Sequence, residues 1–135
     1  MLGTEQLDEF INQHRWAVLT TIRADGEPSS SVVAYARDGD TLLVSTPGQT
    51  LKAKTIAQNS QANLCIISNS EPFNFVTVAG RATVGKEDLV AATKAVFANI
   101  ADTGYQEPED LDGWLESQQR VIIRLEAERV YGVIR

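Results

Sequence analysis

Apolar and polar positions alternate with a period that switches several times along the chain, and each switch marks an element. From Thr4 to Gln13 the apolar residues Leu7, Phe10 and Ile11 recur at helical spacing, with Thr4 as a cap and Glu5 at the positive end. Trp16 to Ile22 is β-branched and apolar and predicts a strand, closed by the turn Ala24-Asp25-Gly26-Glu27. A second strand follows from Ser29 to Ala36, and Asp38-Gly39-Asp40 turns the chain into a third, Thr41 to Thr46. Pro47-Gly48 stops that strand, and Thr50 to Asn59 reads as a helix. Asn63 to Ser68 then predicts a buried strand, and Phe73 to Val84 a long one, bent or bulged near Gly80. Lys86 to Ala101 carries the clearest helical stripe, formed by Leu89, Ala92, Val96, Phe97 and Ile100. After a loop over 103–108, Asp110 to Gln118 predicts a helical turn, and two strands follow, Arg120 to Leu125 and Val130 to Ile134.

Six or seven strands with three or four short helices predict a mainly β, α+β fold, an antiparallel barrel with helical plugs. The helices are too few for a regularly alternating parallel sheet, and the 86–101 helix interrupts any lipocalin-like barrel. No repeat or linker divides the 135 residues, so one domain over 1–135 is expected. A monomer of this size buries roughly two-thirds of its surface, and dimerisation is a natural way to add core.

Charge narrows the partners. Twelve Lys and Arg face 18 Asp and Glu, a net charge of −6, which argues against nucleic acid as a partner. No apolar run approaches the ~18 residues of a membrane span, and the acidic N-terminal segment lacks an export signal, so a cytoplasmic protein is expected.

Candidate chemistry is sparse. His14 is the one histidine, at a helix end where it suits carbonyl capping better than activation of a nucleophile. Cys65 is the one cysteine and reads as a small core hydrophobe, with no cation beside it in sequence to make it reactive. One histidine and one cysteine do not furnish a zinc site, Asp38, Asp40, Asp110 and Asp112 read as turn or cap residues, and no glycine-rich nucleotide fingerprint occurs. The segment from Ser45 to Lys54 differs: a strand ends in Ser45 and Thr46, a Pro-Gly turn follows, and a helix opens with Lys52 and Lys54. Hydroxyls, free N–H groups and ammonium groups converging there suit a phosphate or another anion, while two solvated lysines on an amphipathic helix fit the same residues.

The ordered set Trp16–Pro28, Asp38–Thr46, Lys52-Ala53-Lys54 with Asn59, Val76–Ala82, Arg120–Arg124 and Arg129–Gly132 resembles the flavin-binding split-barrel superfamily of pyridoxamine 5'-phosphate oxidases and flavin/deazaflavin oxidoreductases. The resemblance implies a homodimeric split β-barrel with two cofactor sites at the dimer interface. By position, Ser45, Thr46, Gln49, Thr50, Lys52 and Lys54 would line the phosphate end of the cofactor. Ser30, Ser31, Val32 and Val33 would back the ring, and Phe73 to Phe75, with Phe75 a cofactor contact, would come from, or pack near, the partner subunit. Leu51 stands where the pyridoxamine phosphate oxidases usually carry an Arg, and residues 131–135 hold no histidine of the kind that grips their substrate. The Lys-Ala-Lys pattern looks more like the deazaflavin branch. The expected cofactor is therefore coenzyme F420, with FMN as the alternative, and the expected activity is hydride transfer to a small organic acceptor. A cofactor- or tetrapyrrole-binding module without turnover, and an interaction protein with a lost pocket, are the competing readings. Trp16, Trp114 and the pair Phe73 and Phe75 are candidate stacking groups, with Trp16 the better fit to core or dimer seam and Trp114 open between a lid and a plain surface anchor; Arg81 fits a buried ion pair as well as a ligand, and Arg129 and Tyr131 fit structure.

Overall fold

Seven strands form one antiparallel sheet in the order β2-β1-β5-β6-β7-β4-β3 in the computed structural model, which describes all 135 residues. The strands are β1 (Trp16–Ile22), β2 (Pro28–Ala34), β3 (Ala36–Asp38), β4 (Thr41–Pro47), β5 (Gln61–Ile67), β6 (Phe75–Gly85) and β7 (Arg120–Val133). Four helices, α1 (Glu5–Gln13), α2 (Leu51–Gln58), α3 (Leu89–Asn99) and α4 (Leu111–Ser117), are set between them. The sheet curls until edge strand β2 touches β4 without pairing to it, which is the split of a split β-barrel. Period-two alternation sends Ala17, Leu19, Ala62, Leu64, Ile66, Val76, Val78, Ile123 and Leu125 into the barrel, where Phe10, Ile11 and Ile56 of the helices join them. No helix is long and apolar enough to cross a membrane.

The outer face is covered only in part. Helix α3 lies over β4 and β7, where Leu43, Ile122 and Ala92 make a second small core. Elsewhere the register sets Val32, Val18, Cys65, Thr77 and Tyr131 in one row across five strands. Ile67, Phe75 and Val133 form a parallel row two residues along, and Val32, Tyr131 and Val133 are exposed.

Several expected boundaries move for physical reasons. The second strand breaks at Tyr35, whose ring is buried; Ala36–Asp38 continues as a separate strand on β4. The Tyr35 hydroxyl lies 2.6 Å from the Ile11 carbonyl and 2.8 Å from that of His14, and burial pushes its pKa well above the ordinary value. Asn99 Nδ2 donates to the Tyr35 carbonyl at 2.7 Å, and His14 Nδ1 sits 2.8 Å from the Phe10 carbonyl with its ring stacked on Phe10. His14 is thus a cap, as its helix-end position implied, and Thr4 caps the other end through the Leu7 N–H. Helix α3 starts at Leu89 rather than Lys86, because Asp88 takes a left-handed conformation with φ +49.

The two closing strands are one, Arg120–Val133. It pairs with β4 over its first half and with β6 over most of its length, and a bulge at Ala79/Gly80 absorbs the extra residue Glu128. A Cβ on Gly80 would lie 1.9 Å from the Glu126 carbonyl oxygen, so the close approach requires glycine. Cys65 is not a core residue: Leu64 and Ile66 take the inward positions, leaving Cys65 half-exposed on the outer face. Arg81 is exposed, 3.6 Å from Glu128, so no buried ion pair forms there.

Tyr35→Phe removes the donor that closes the end of α1 and leaves the Ile11 carbonyl unpaired. It is expected to lower unfolding stability by about 1–3 kcal/mol in urea denaturation, and an unchanged midpoint would contradict this role.

Candidate functional site

Two turns meet at one end of the barrel. Pro47–Thr50 links β4 to α2, and Gln118-Gln119 links α4 to β7. Gly48 N–H donates to the Gln119 carbonyl at 2.8 Å, and the Gln49 side-chain amide donates to that of Gln119. A Cβ on Gly48 would stand 2.7 Å from the Gln119 carbonyl oxygen, and Gln119 itself has φ +50. The tie therefore depends on glycine at position 48, and it fixes the start of α2 against the start of β7.

Thr50 caps α2. Its hydroxyl donates to the Pro47 carbonyl at 3.0 Å and accepts from the Ala53 N–H, so in the 3.1 Å contact between the two threonines Thr46 is the donor. Both hydroxyl protons are thus used inside the turn. The Leu51 and Lys52 N–H groups at the helix start have no hydrogen-bond partner. Ser45, whose register partner is Ile122, has a buried Oγ without any partner.

Five cationic side chains in the chain are half-buried. Arg37 pairs with Asp8 at 2.9 Å, Arg15 donates to the Ala101 carbonyl at 3.0 Å, and Arg124 donates to the Glu87 carbonyl at 2.7 Å. The other two, Lys52 and Arg120, have neither an ion pair nor a hydrogen bond, and they flank the same turn junction. Arg120 stands opposite Pro47 in the ladder, its guanidinium 4.1 Å from the centre of the Trp114 ring and its Nε buried without a partner. Trp114 is held edge-on by Phe97, centroids 5.7 Å apart. Burial, and then the Arg120 charge, hold the Lys52 ammonium below its ordinary value; burial does the same to Arg120. A cleft of about 750 Å³ opens beside the junction, lined by Gly48, Gln49, Lys86, Val90, Glu116 and Arg120 among others.

The remaining positions are distributed unevenly. Lys54 is exposed and, two residues along the helix from Lys52, points to another side of it. Ser30 is exposed and shares a 2.8 Å hydrogen bond with Thr20, Ser31 is half-buried, Val32 is exposed and Val33 is in the core. All four lie on the sheet edge, so the outer backbone groups of β2 are free for a ligand. Phe75 faces Val133 at the far end of β7 from Arg120, roughly 40 Å of strand contour away. Within one chain, then, Gln49, Thr50, Lys52 and Arg120 gather at the turn junction, Ser45 lies two residues back along β4 beside Ile122, and Phe75 does not join them. The sequence marks Arg120 as a strand start and as part of the Arg120–Arg124 resemblance, not as a ligand contact, and Trp114 fits a lid or a surface anchor equally. No local signal in the sequence marks Arg120, because its neighbours at the junction come from β4, α2 and α4.

The chain matches the pyridoxamine 5'-phosphate oxidase family model over residues 4–134 and belongs to that family. It is 28% identical over 126 residues to the F420H(2)-dependent biliverdin reductase of Mycobacterium tuberculosis, covering 91% of this chain and 82% of that protein. Its fold is similar to that of an F420 reductase (TM-score 0.77, 19% identity, 96% of this chain and 98% of that one). It is also similar to the heme storage protein HutZ of Vibrio cholerae (TM-score 0.71, 19% identity, 97% of this chain and 94% of that one).

Burial first, and then the Arg120 charge, disfavour the charged lysine, so Arg120→Gln is expected to raise the Lys52 pKa, with burial still holding it below its ordinary value. Following the Lys52 side-chain resonance through alkaline pH checks this, and an unmoved midpoint would contradict it.

Proposed function

We propose that this protein is an F420-dependent oxidoreductase that moves a hydride between the reduced deazaflavin and a small organic acceptor. The observation that carries the reading is Lys52, a half-buried ammonium with no counter-charge at the open start of α2, next to free N–H groups. Family membership and the F420H(2)-dependent relative support it. The residues present fit an anionic tail, because an unpaired cation and an unpartnered buried Ser45 hydroxyl both lack what such a tail provides. Lys52 would hold the tail, with Gln49 and the Thr46–Thr50 pair fixing the turn that presents it, and Lys54 would add charge from the exposed side. The free backbone edge of β2 at Ser30–Val33 would orient the ring. When bound, the deazaflavin supplies the hydride chemistry, so the chain contributes position and electrostatics rather than an acid–base pair. This agrees with His14 being committed to capping α1.

A homodimer is part of this reading. The uncovered face carrying Val32, Val18 and Tyr131 would meet its copy, and Phe75 would reach the partner's site from there. Val32→Glu with Tyr131→Glu is expected to shift sedimentation toward the monomer, and an unchanged species would remove the face from consideration.

FMN fits the same cation, and the heme-storage fold neighbour favours a second reading, tetrapyrrole binding without turnover. Titrating the protein with F420, FMN and hemin separates the three. F420 is expected to bind most tightly, and Lys52→Ala to weaken it about 10- to 100-fold without loss of fold. Tight hemin binding with no uptake of F420 would overturn the enzyme reading.

A further inference from the structure

We propose that Arg120, clamped on Trp114, is the second cation of the anion site, so that two positive groups rather than one meet the phosphate-bearing tail. The inference deepens the reading above and rests on it for the identity of the tail. Nothing in the sequence pattern assigned Arg120 to a ligand.

The first support is the fate of the half-buried cations. Three of the five meet a carboxylate or a carbonyl, and only Lys52 and Arg120 are left without a polar partner. Half-burying one cation costs free energy, and half-burying two beside each other costs more unless something negative joins them. Asp112 and Glu116 of α4 line the neighbouring cleft, yet neither comes within 4.0 Å of either cation.

The second support is rigidity. Glycine at 48 and the Gln119 tie lock the two turns that carry Lys52 and Arg120, so their separation is fixed before any ligand arrives. Trp114 lies under the guanidinium at 4.1 Å and is itself wedged by Phe97. Stacking holds the guanidinium plane while leaving its N–H edge free, the arrangement that suits bidentate recognition of a phosphate or carboxylate. The buried Nε has no partner either, so no group of the chain saturates the guanidinium. A purely structural cation–π pair would need no unpartnered Nε and no second cation beside it.

The test compares chromophores with and without the charged tail on the intact protein. Wild type, Arg120→Gln, Arg120→Lys and Trp114→Leu are titrated by calorimetry with F420, its phosphate-free deazariboflavin, FMN and riboflavin. Thermal melts with and without inorganic pyrophosphate are run alongside. Arg120→Gln is expected to lose about 10- to 100-fold affinity for the tailed chromophores and none for the tail-free ones. Arg120→Lys keeps the charge without the fork and falls between, and Trp114→Leu weakens tail binding without removing it. Pyrophosphate is expected to raise the melting temperature of wild type and not of Arg120→Gln. If tailed chromophores bind all the Arg120 variants as tightly as wild type while Lys52→Ala loses them, the function stands and this inference falls. If no chromophore binds but pyrophosphate stabilises the protein only when Arg120 is present, the function falls and the anion site stands. Should Arg120→Gln fail to fold, Arg120→Lys carries the decision: equal affinity for FMN and riboflavin ratios in wild type and Arg120→Lys overturns the proposal.

Discussion

The molecule depends on one strand serving two neighbours. β7 pairs with β4 over Arg120–Glu126 and with β6 from Ile122 to Val133, and Gly80 lets the β6 and β7 backbones close to a distance no side chain permits. The bulge absorbs Glu128 and resets the phase, so Leu125 and Ala127 before it and Val130 after it all point toward the barrel. Without that correction, every residue beyond the bulge would be inverted, and the apolar side of the strand end would face solvent. The curl of the sheet, the contact of β2 with β4 and the position of Arg120 at the strand start all follow from that single continuous strand.

Function inherits this geometry. β4 and β7 begin and end at the same edge, so the turns leaving them are forced together, and the Gly48–Gln119 hydrogen bond secures them. Of the five half-buried cations, Arg37 is paired with Asp8, and Arg15 and Arg124 donate to backbone carbonyls. Lys52 and Arg120, which flank the locked junction, have no polar partner in the chain, and the proposed function assigns that role to an anionic ligand. Family membership supplies a class of ligand whose tail has the required sign.

Much of this was legible in the sequence, and the gaps have physical causes. Strong periodicity gave β1, β4, β5, β6 and the stripe of α3, because burial on one face enforces it residue by residue. Thr4 and Asp110 were readable as caps, whereas Thr50 was readable only as the start of its helix, and the structure makes it the cap. The continuity of β7 was hidden because Glu126, Glu128 and Arg129 interrupt the apolar pattern at the bulge, where the strand is solvent-exposed yet still paired. Cys65 was misplaced because four apolar residues in a row, Leu64 to Ile67, conceal which face is inward until the partner strands are known. Lys52 was readable from its place in a helix's first turn, whereas Arg120 was not: its significance lies in a neighbour 68 positions earlier in the chain and in the absence of any carboxylate contact, neither of which leaves a local mark.

The most direct measurement is a crystal structure of the protein with F420 or FMN bound. The account predicts the phosphate of the bound molecule within hydrogen-bond reach of both Lys52 Nζ and the Arg120 guanidinium, with the Trp114 stack retained. A bound cofactor whose phosphate lies elsewhere, with Lys52 and Arg120 still unpaired, would contradict it.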